Sequence, residues 1–246
     1  MVEVSQTIAE RVAAVHKTIA AACQRAGRPL DAVTLVAVSK TQPPARVLEA
    51  AAAGVQHFGE NRVEEALGKI AQVKAGLAGP VTWHMVGHVQ SRKARYVVHD
   101  FALLHSLDSV RLAGRLSRAL TEAGRTLDVL LEMNVSGEAS KEGWDAWRWG
   151  EDGVRRRALW DDVAAVLAMP GLCVRGLMTM APIVDDMEQA RPVFAALRAL
   201  RDALAADFPG AGWDALSMGM TDDYPVAIEE GATLVRIGRA IFGPRL

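Results

Sequence analysis

A lysine at the tip of a short apolar run is the first residue of this chain equipped for covalent chemistry. Thr34-Leu35-Val36-Ala37-Val38-Ser39-Lys40 is followed at once by Thr41-Gln42-Pro43-Pro44. That pattern is a buried parallel strand leading through a loop into the first turn of a helix. Strand side chains alternate, so Lys40 shares the face of Val36 and Val38. Two readings stand. One is a snorkelling lysine that takes its ammonium past the strand end. The other is a Schiff-base lysine whose amine becomes nucleophilic when desolvation or nearby cations lower its pKa. Arg236, between Val235 and Ile237, points to the face opposite theirs. Inside a barrel it needs a partner, because a buried unpaired charge is very costly. A guanidinium is not deprotonated in proteins, so on a pyridine nitrogen it keeps that nitrogen unprotonated and the ring a poor electron sink. At a barrel rim it would simply pair with a carboxylate. Ser217-Met218-Gly219-Met220-Thr221 and Gly238-Arg239-Ala240 are glycine-bearing segments whose N–H groups can approach an anion, or else two ordinary turns.

The elements that must position these residues follow from hydrophobic spacing. Val4, Ile8, Val12, Val15, Ile19 and Cys23 recur every three or four residues, which predicts a helix over about 4 to 26, stopped near Gly27 and Pro29. Strands are predicted at 34–40, 55–58, 81–86, 102–107, 127–134, 172–179, 215–217 and 233–237. Helical patterns follow most of them, including 187–208 and a helix after 221 in which Thr221 caps a first turn carrying Asp222 and Asp223. Residues 136–160, with Trp144, Trp147, Trp149, Trp160 and Arg155-Arg156-Arg157, show no clean period and read as a long loop merging into a helix. Parallel strands need crossovers, and helices supply them. The expectation is a single (β/α)8 barrel with an extra N-terminal covering helix over 1–27 and a Trp-rich insertion over 138–160. In such barrels, sites gather at the C-terminal strand ends, and phosphate is often held by the loops after strands seven and eight. An open doubly wound sheet is disfavoured, since no G-x-G-x-x-G follows the first strand.

Lys+Arg 28 against Asp+Glu 29 leaves 246 residues with a net charge of -1, so no basic field points to nucleic acid. Arg155-Arg156-Arg157 reads as a solvated helix face. No apolar run approaches the roughly 20 residues of a membrane span, and no leader pattern opens the chain. Cys23 and Cys173 form no C-x-x-C pair and read as buried thiols of a cytoplasmic protein. His84 and His88 straddle a strand end without a following Glu, which argues against zinc. No P-loop or G-x-S-x-G motif occurs.

Six motifs occur in order: Ala37-Val38-Ser39-Lys40, His57-Phe58-Gly59-Glu60-Asn61, Trp83-His84-Met85-Val86-Gly87, Gly176-Leu177-Met178-Thr179-Met180-Ala181-Pro182, Leu216-Ser217-Met218-Gly219-Met220 and Val235-Arg236-Ile237-Gly238. The chain resembles the pyridoxal phosphate homeostasis proteins, single-domain relatives of the alanine racemase barrel. The resemblance covers almost everything from Thr34 to Gly243. It implies pyridoxal 5'-phosphate (PLP) joined to Lys40 as a Schiff base, and Asn61 beside the ring. It further implies Arg236 at the pyridine nitrogen, Ser217, Gly238 and Arg239 around the phosphate, and Met180 and Met218 lining the pocket. Arg239 stands where threonine is common, Thr221 where serine is common, and His88 and Arg92 replace an apolar or small residue and an asparagine.

Two functions of different classes follow. One is a non-catalytic protein that holds PLP reversibly and balances its supply and the amino-acid or keto-acid pools. The other is a PLP-dependent amino-acid racemase, which needs a second acid/base on the opposite ring face. Alanine racemases supply a tyrosine from a further β domain, and here only Tyr96 and Tyr224 exist, neither in a segment resembling it. The expectation is the binding protein, a monomer or weak dimer with no membrane or nucleic-acid partner and at most slow racemisation.

Overall fold

The computed structural model describes residues 6–77 and 79–244. Val4, placed at the head of the first helix by its spacing, lies outside them. Helix α1 (Ile8–Arg25) starts later than that spacing suggests because Thr7 caps it: the Thr7 hydroxyl accepts from the Glu10 N–H, and the Glu10 carboxylate accepts from the Thr7 N–H. That reciprocal box satisfies two of the N–H groups an α-helix start leaves without partners.

Eight strands then make a closed ring. They are β1 (Thr34–Val38), β2 (His57–Glu60), β3 (Thr82–Met85), β4 (Leu103–Leu107), β5 (Leu127–Asn134), β7 (Leu172–Met178), β8 (Ala215–Ser217) and β9 (Leu234–Ile237), with the two-residue β6 (Trp144–Asp145) added beside β5. All ring pairings are parallel, and β4–β5 and β1–β9 close the circle. Crossovers are α2 (Pro44–Ala52), α3 (Val63–Gly76), a 3-10 segment at Ser91–Tyr96, α4 (Val110–Ala123), α5 (Gly153–Leu167), α6 (Arg191–Asp207) and α7 (Tyr224–Glu229), with the short α8 (Arg239–Phe242) after β9. The barrel read from the alternating pattern is therefore present. α1 packs against α2, α7 and α8 in the outer layer.

Alternation sorts the strand residues. Val36, Leu130, Met178 and Leu234 form the inner cluster, while Ala37, Phe58, Trp83, Met85 and Leu104 face the helices. Gly176 has φ of +149°, and a Cβ there would lie 1.9 Å from the Ala215 carbonyl oxygen. The β5–β7 register shifts at this point, between Val129 and Leu130. A glycine is needed where one strand presses on another's backbone in this way.

Three expectations change. Residues 153–160, read as loop, are helical, because Asp152 caps α5 by accepting from the Val154 and Arg155 N–H groups. Thr221 caps nothing: the helix begins at Tyr224, and the Asp223 carboxylate turns back to accept from the Met220 N–H at 2.5 Å. Cys173 is only partly buried, whereas Cys23 is buried, and both are free. Among the described residues no helix is long and apolar enough to cross a membrane.

Candidate functional site

Lys40 lies just past β1, separated from it by Ser39, in a turn, and is half-buried. Its backbone is pinned on both sides. The Ser39 N–H donates to the Gly59 carbonyl at 2.9 Å, and the Ser39 hydroxyl donates to Glu60 Oε1 at 2.6 Å. Lys69 of α3, itself buried, donates to the Ser39 carbonyl at 2.7 Å and to Glu60 Oε1 at 2.8 Å. Beyond Lys40, the Thr41 N–H donates to Glu65 at 2.6 Å, and Thr41 takes a positive φ of 64°. A threonine is uncommon in that region, so the turn is set by its surroundings. Burial raises the Glu60 pKa, while Lys69 and Ser39 pull it back.

Asn61, half-buried, follows β2. A Cβ on Gly87 would lie 2.4 Å from the Asn61 carbonyl oxygen and 2.6 Å from its Cα. Glycine after β3 is thus what lets Asn61 sit against that loop. Met180 packs against the inner cluster. Met218, expected to line the pocket, follows the last residue of β8 and is fully buried, in the cluster that includes Leu216, Tyr224 and Ala227.

Arg236 is 5 % exposed and points inward, as its place between Val235 and Ile237 requires. It is level with Val36 of β1, on the strand beside the one that leads to Lys40. Its Nη1 donates to Ser217 Oγ at 2.6 Å and its Nη2 to the Thr179 carbonyl at 2.9 Å. No carboxylate lies within ion-pair distance of it among the described residues. Burial lowers its pKa to about 10, and Glu132 and Asp223 oppose the fall through space. Ser217, expected near the phosphate, has its hydroxyl inside the barrel at Arg236. The Arg239 side chain is exposed and paired with Asp222, which ties the loop after β8 to the loop after β9. Gly238 and the first N–H groups of α8 border that junction.

Sequence reasoning missed a row of histidines. His57 Nδ1 and His84 Nε2 are hydrogen-bonded at 3.0 Å, His84 Nδ1 and His105 Nε2 at 2.9 Å, and His105 Nδ1 and Ser217 Oγ at 2.7 Å. The signal available was parity, since each imidazole sits at an inward position of an apolar strand. Burial pushes His84 down to about 3 and His105 well below its ordinary value. The pairing of His84 with His88, weighed for zinc, is not formed. His88 Nδ1 lies 2.9 Å from Asp108 at the rim, and these two and Glu142 hold their ligand atoms within 4.8 Å of one another. Glu132, buried beside this rim, is pushed by burial up to about 7.

The arrangement gathers an amine, a buried guanidinium and a glycine-bearing helix start at the C-terminal ends of neighbouring strands. Arg236 uses two of its five N–H donors on protein, which leaves donors for a ligand acceptor. Comparison with known proteins gives the same direction. The family "Alanine racemase, N-terminal domain" matches residues 11–245. The pyridoxal phosphate homeostasis protein of Pseudomonas aeruginosa is 45% identical over 239 residues, 97% of this chain and 96% of the relative. That of Escherichia coli is 39% identical over 243 residues, 97% of each. The solved structure of PipY from Synechococcus elongatus with PLP bound is 37% identical, with a TM-score of 0.81, over 96% of this chain and 100% of that one. This chain therefore belongs to the alanine racemase N-terminal domain family and, within it, to the pyridoxal phosphate homeostasis proteins.

Proposed function

We propose that this protein binds PLP reversibly, with Lys40 as the covalent anchor, and serves the homeostasis of that cofactor and of the amino-acid or keto-acid pools that depend on it. Bound PLP supplies an aldehyde that condenses reversibly with amines. Lys40 would supply the amine from a pinned backbone, Asn61 and Met180 would border the ring, and Arg236 would donate to the ring nitrogen. Gly238 and the Arg239 backbone would meet the phosphate at the start of α8, where the Arg239–Asp222 pair holds the two flanking loops together. Ser217 acts through Arg236, and Met218, buried just past β8, would line the pocket from its floor.

The observation that carries the reading is Arg236, a buried donor with neutral partners beside the strand that leads to Lys40. Because Arg236 would keep a proton off a ring nitrogen placed against it, such a ring would withdraw electrons weakly. That weakness alone does not separate a binding protein from a racemase. The racemase alternative needs a second acid/base. Tyr224 is buried with its hydroxyl toward Thr18 of α1, and Tyr96 stacks with Arg95 on the surface. Neither serves the inner face. We read the protein as cytoplasmic, a monomer or at most a weak dimer.

The test is visible absorbance of the purified protein with PLP, before and after borohydride, against Lys40→Ala. A reducible band that requires Lys40 is expected, with little racemisation of alanine by the same sample. A band indifferent to Lys40 sinks the anchor, and brisk racemisation sinks the carrier role.

A further inference from the structure

Arg236 holds a charge in the barrel interior with, among the described residues, only a hydroxyl and a carbonyl hydrogen-bonded to it. An uncompensated buried charge costs several kcal/mol, so the stabilising field must come from further away. Glu132 and Asp223 contribute part of it through space. The rest is available from the row that starts at Ser217 and crosses the interior through His105, His84 and His57.

A neutral imidazole has one donor nitrogen and one acceptor nitrogen. In an unbroken row, all three rings must therefore share one tautomer, and only two directions exist. Arg236 chooses between them. Its Nη1 can only donate, so Ser217 Oγ accepts from a cation and is polarised to give its own proton to His105 Nδ1. His105 Nε2–H then donates to His84 Nδ1, and His84 Nε2–H to His57 Nδ1. Each ring turns the negative end of its dipole toward the guanidinium. The reverse order would aim three positive ends at it. The charged and titratable groups that act on His105 are Arg236 and His84, and on His84 it is His57.

We infer that His105, His84 and His57 form a tautomer-locked column that, through Ser217, stabilises the Arg236 charge and holds its remaining N–H groups ready for a bound acceptor. They are positioning residues. This deepens the PLP reading in naming what orients Arg236, but the tautomer pattern belongs to the protein without ligand. It also fixes Ser217 as a donor into the barrel, so any phosphate contact from Ser217 comes from its backbone.

The experiment is imidazole nitrogen NMR of the full chain without PLP at neutral pH, repeated on Arg236→Met and Arg236→Lys. All three histidines are expected to carry the proton on Nε2. Arg236→Met lets the opposite tautomer appear, and Arg236→Lys restores the single set. A proton on Nδ1 of any of the three in the native chain overturns the column, as does an unchanged pattern in Arg236→Met. Should Arg236→Met not fold, the native spectrum decides alone. His84→Phe, with a ring but no nitrogens, should weaken PLP affinity about fivefold, the effect of one lost hydrogen bond, while the Lys40-dependent band persists. Unchanged affinity removes the positioning role. Absence of any band in the native protein removes the PLP reading and leaves the tautomer result standing.

Discussion

Glu132 is the residue whose titration should be visible in the whole protein. Burial pushes it up to about 7 against the pull of Arg236, and Asp108 and Glu142 add to the rise. The folded state therefore keeps a proton that the unfolded chain releases near pH 4.5. Where the folded state binds more protons, stability falls as pH rises. The contribution is complete below the unfolded pKa, declines between about 4.5 and 7, and levels off above, for a total of about 3 kcal/mol. Glu132→Gln removes the titration. Urea unfolding should then show a gain of about 2 kcal/mol over the native protein near pH 8 and almost none near pH 5. An equal effect at both values would show that the carboxyl does not hold its proton in the fold.

At the scale of elements, the Trp-rich segment is built as a packed unit. Trp149 and Trp160 stack at 5.6 Å, Arg156 lies over Trp160, and Trp160 Nε1 donates to Asp207 at 2.7 Å. Gly143 lets the segment press on β5, since a Cβ there would lie 2.5 Å from the Glu132 carbonyl oxygen. Deleting Gly143 to Trp149 should speed PLP loss, measured by dilution into excess apo-acceptor enzyme. An unchanged off-rate would detach the segment from the site. Gly87→Ala is expected to cost about 1–3 kcal/mol in urea unfolding, because an added methyl drives into the Asn61 backbone. A neutral effect would mean that the loop yields freely. The strands were legible because a buried parallel strand is a nearly unbroken apolar run. The start of α5 was not, since Trp and Arg at 147–157 break the period while the cap at Asp152 is local. Arg236 was legible by parity alone. The histidine row was hidden because its members sit on separate strands, and which rung of one strand meets which rung of another is set by ring closure.

On the scale of the molecule, α1 is part of the barrel's outer layer, fixed by Arg28 donating to the Ile228 and Ala232 carbonyls at 2.6 and 2.8 Å. Ile19, 1% exposed, is among its buried contacts with that layer. Ile19→Ala should cost about 2–4 kcal/mol in urea unfolding and leave the Lys40-dependent absorbance in place. Loss of that band in the folded variant would show that α1 shapes the mouth as well as the shell. The ring has no edge strand, so its stability is shared around the circle, and the inner residues are held from all sides. The pinned turn at Lys40 gains meaning from this. Ser39 is bolted to β2 and α3 from behind, and Thr41 to Glu65 from beyond, so the lysine is a lever on a fixed fulcrum. A bond made or broken at its far end need bend only the lever. A protein built so could load and unload its cargo many times with no part of its frame coming undone.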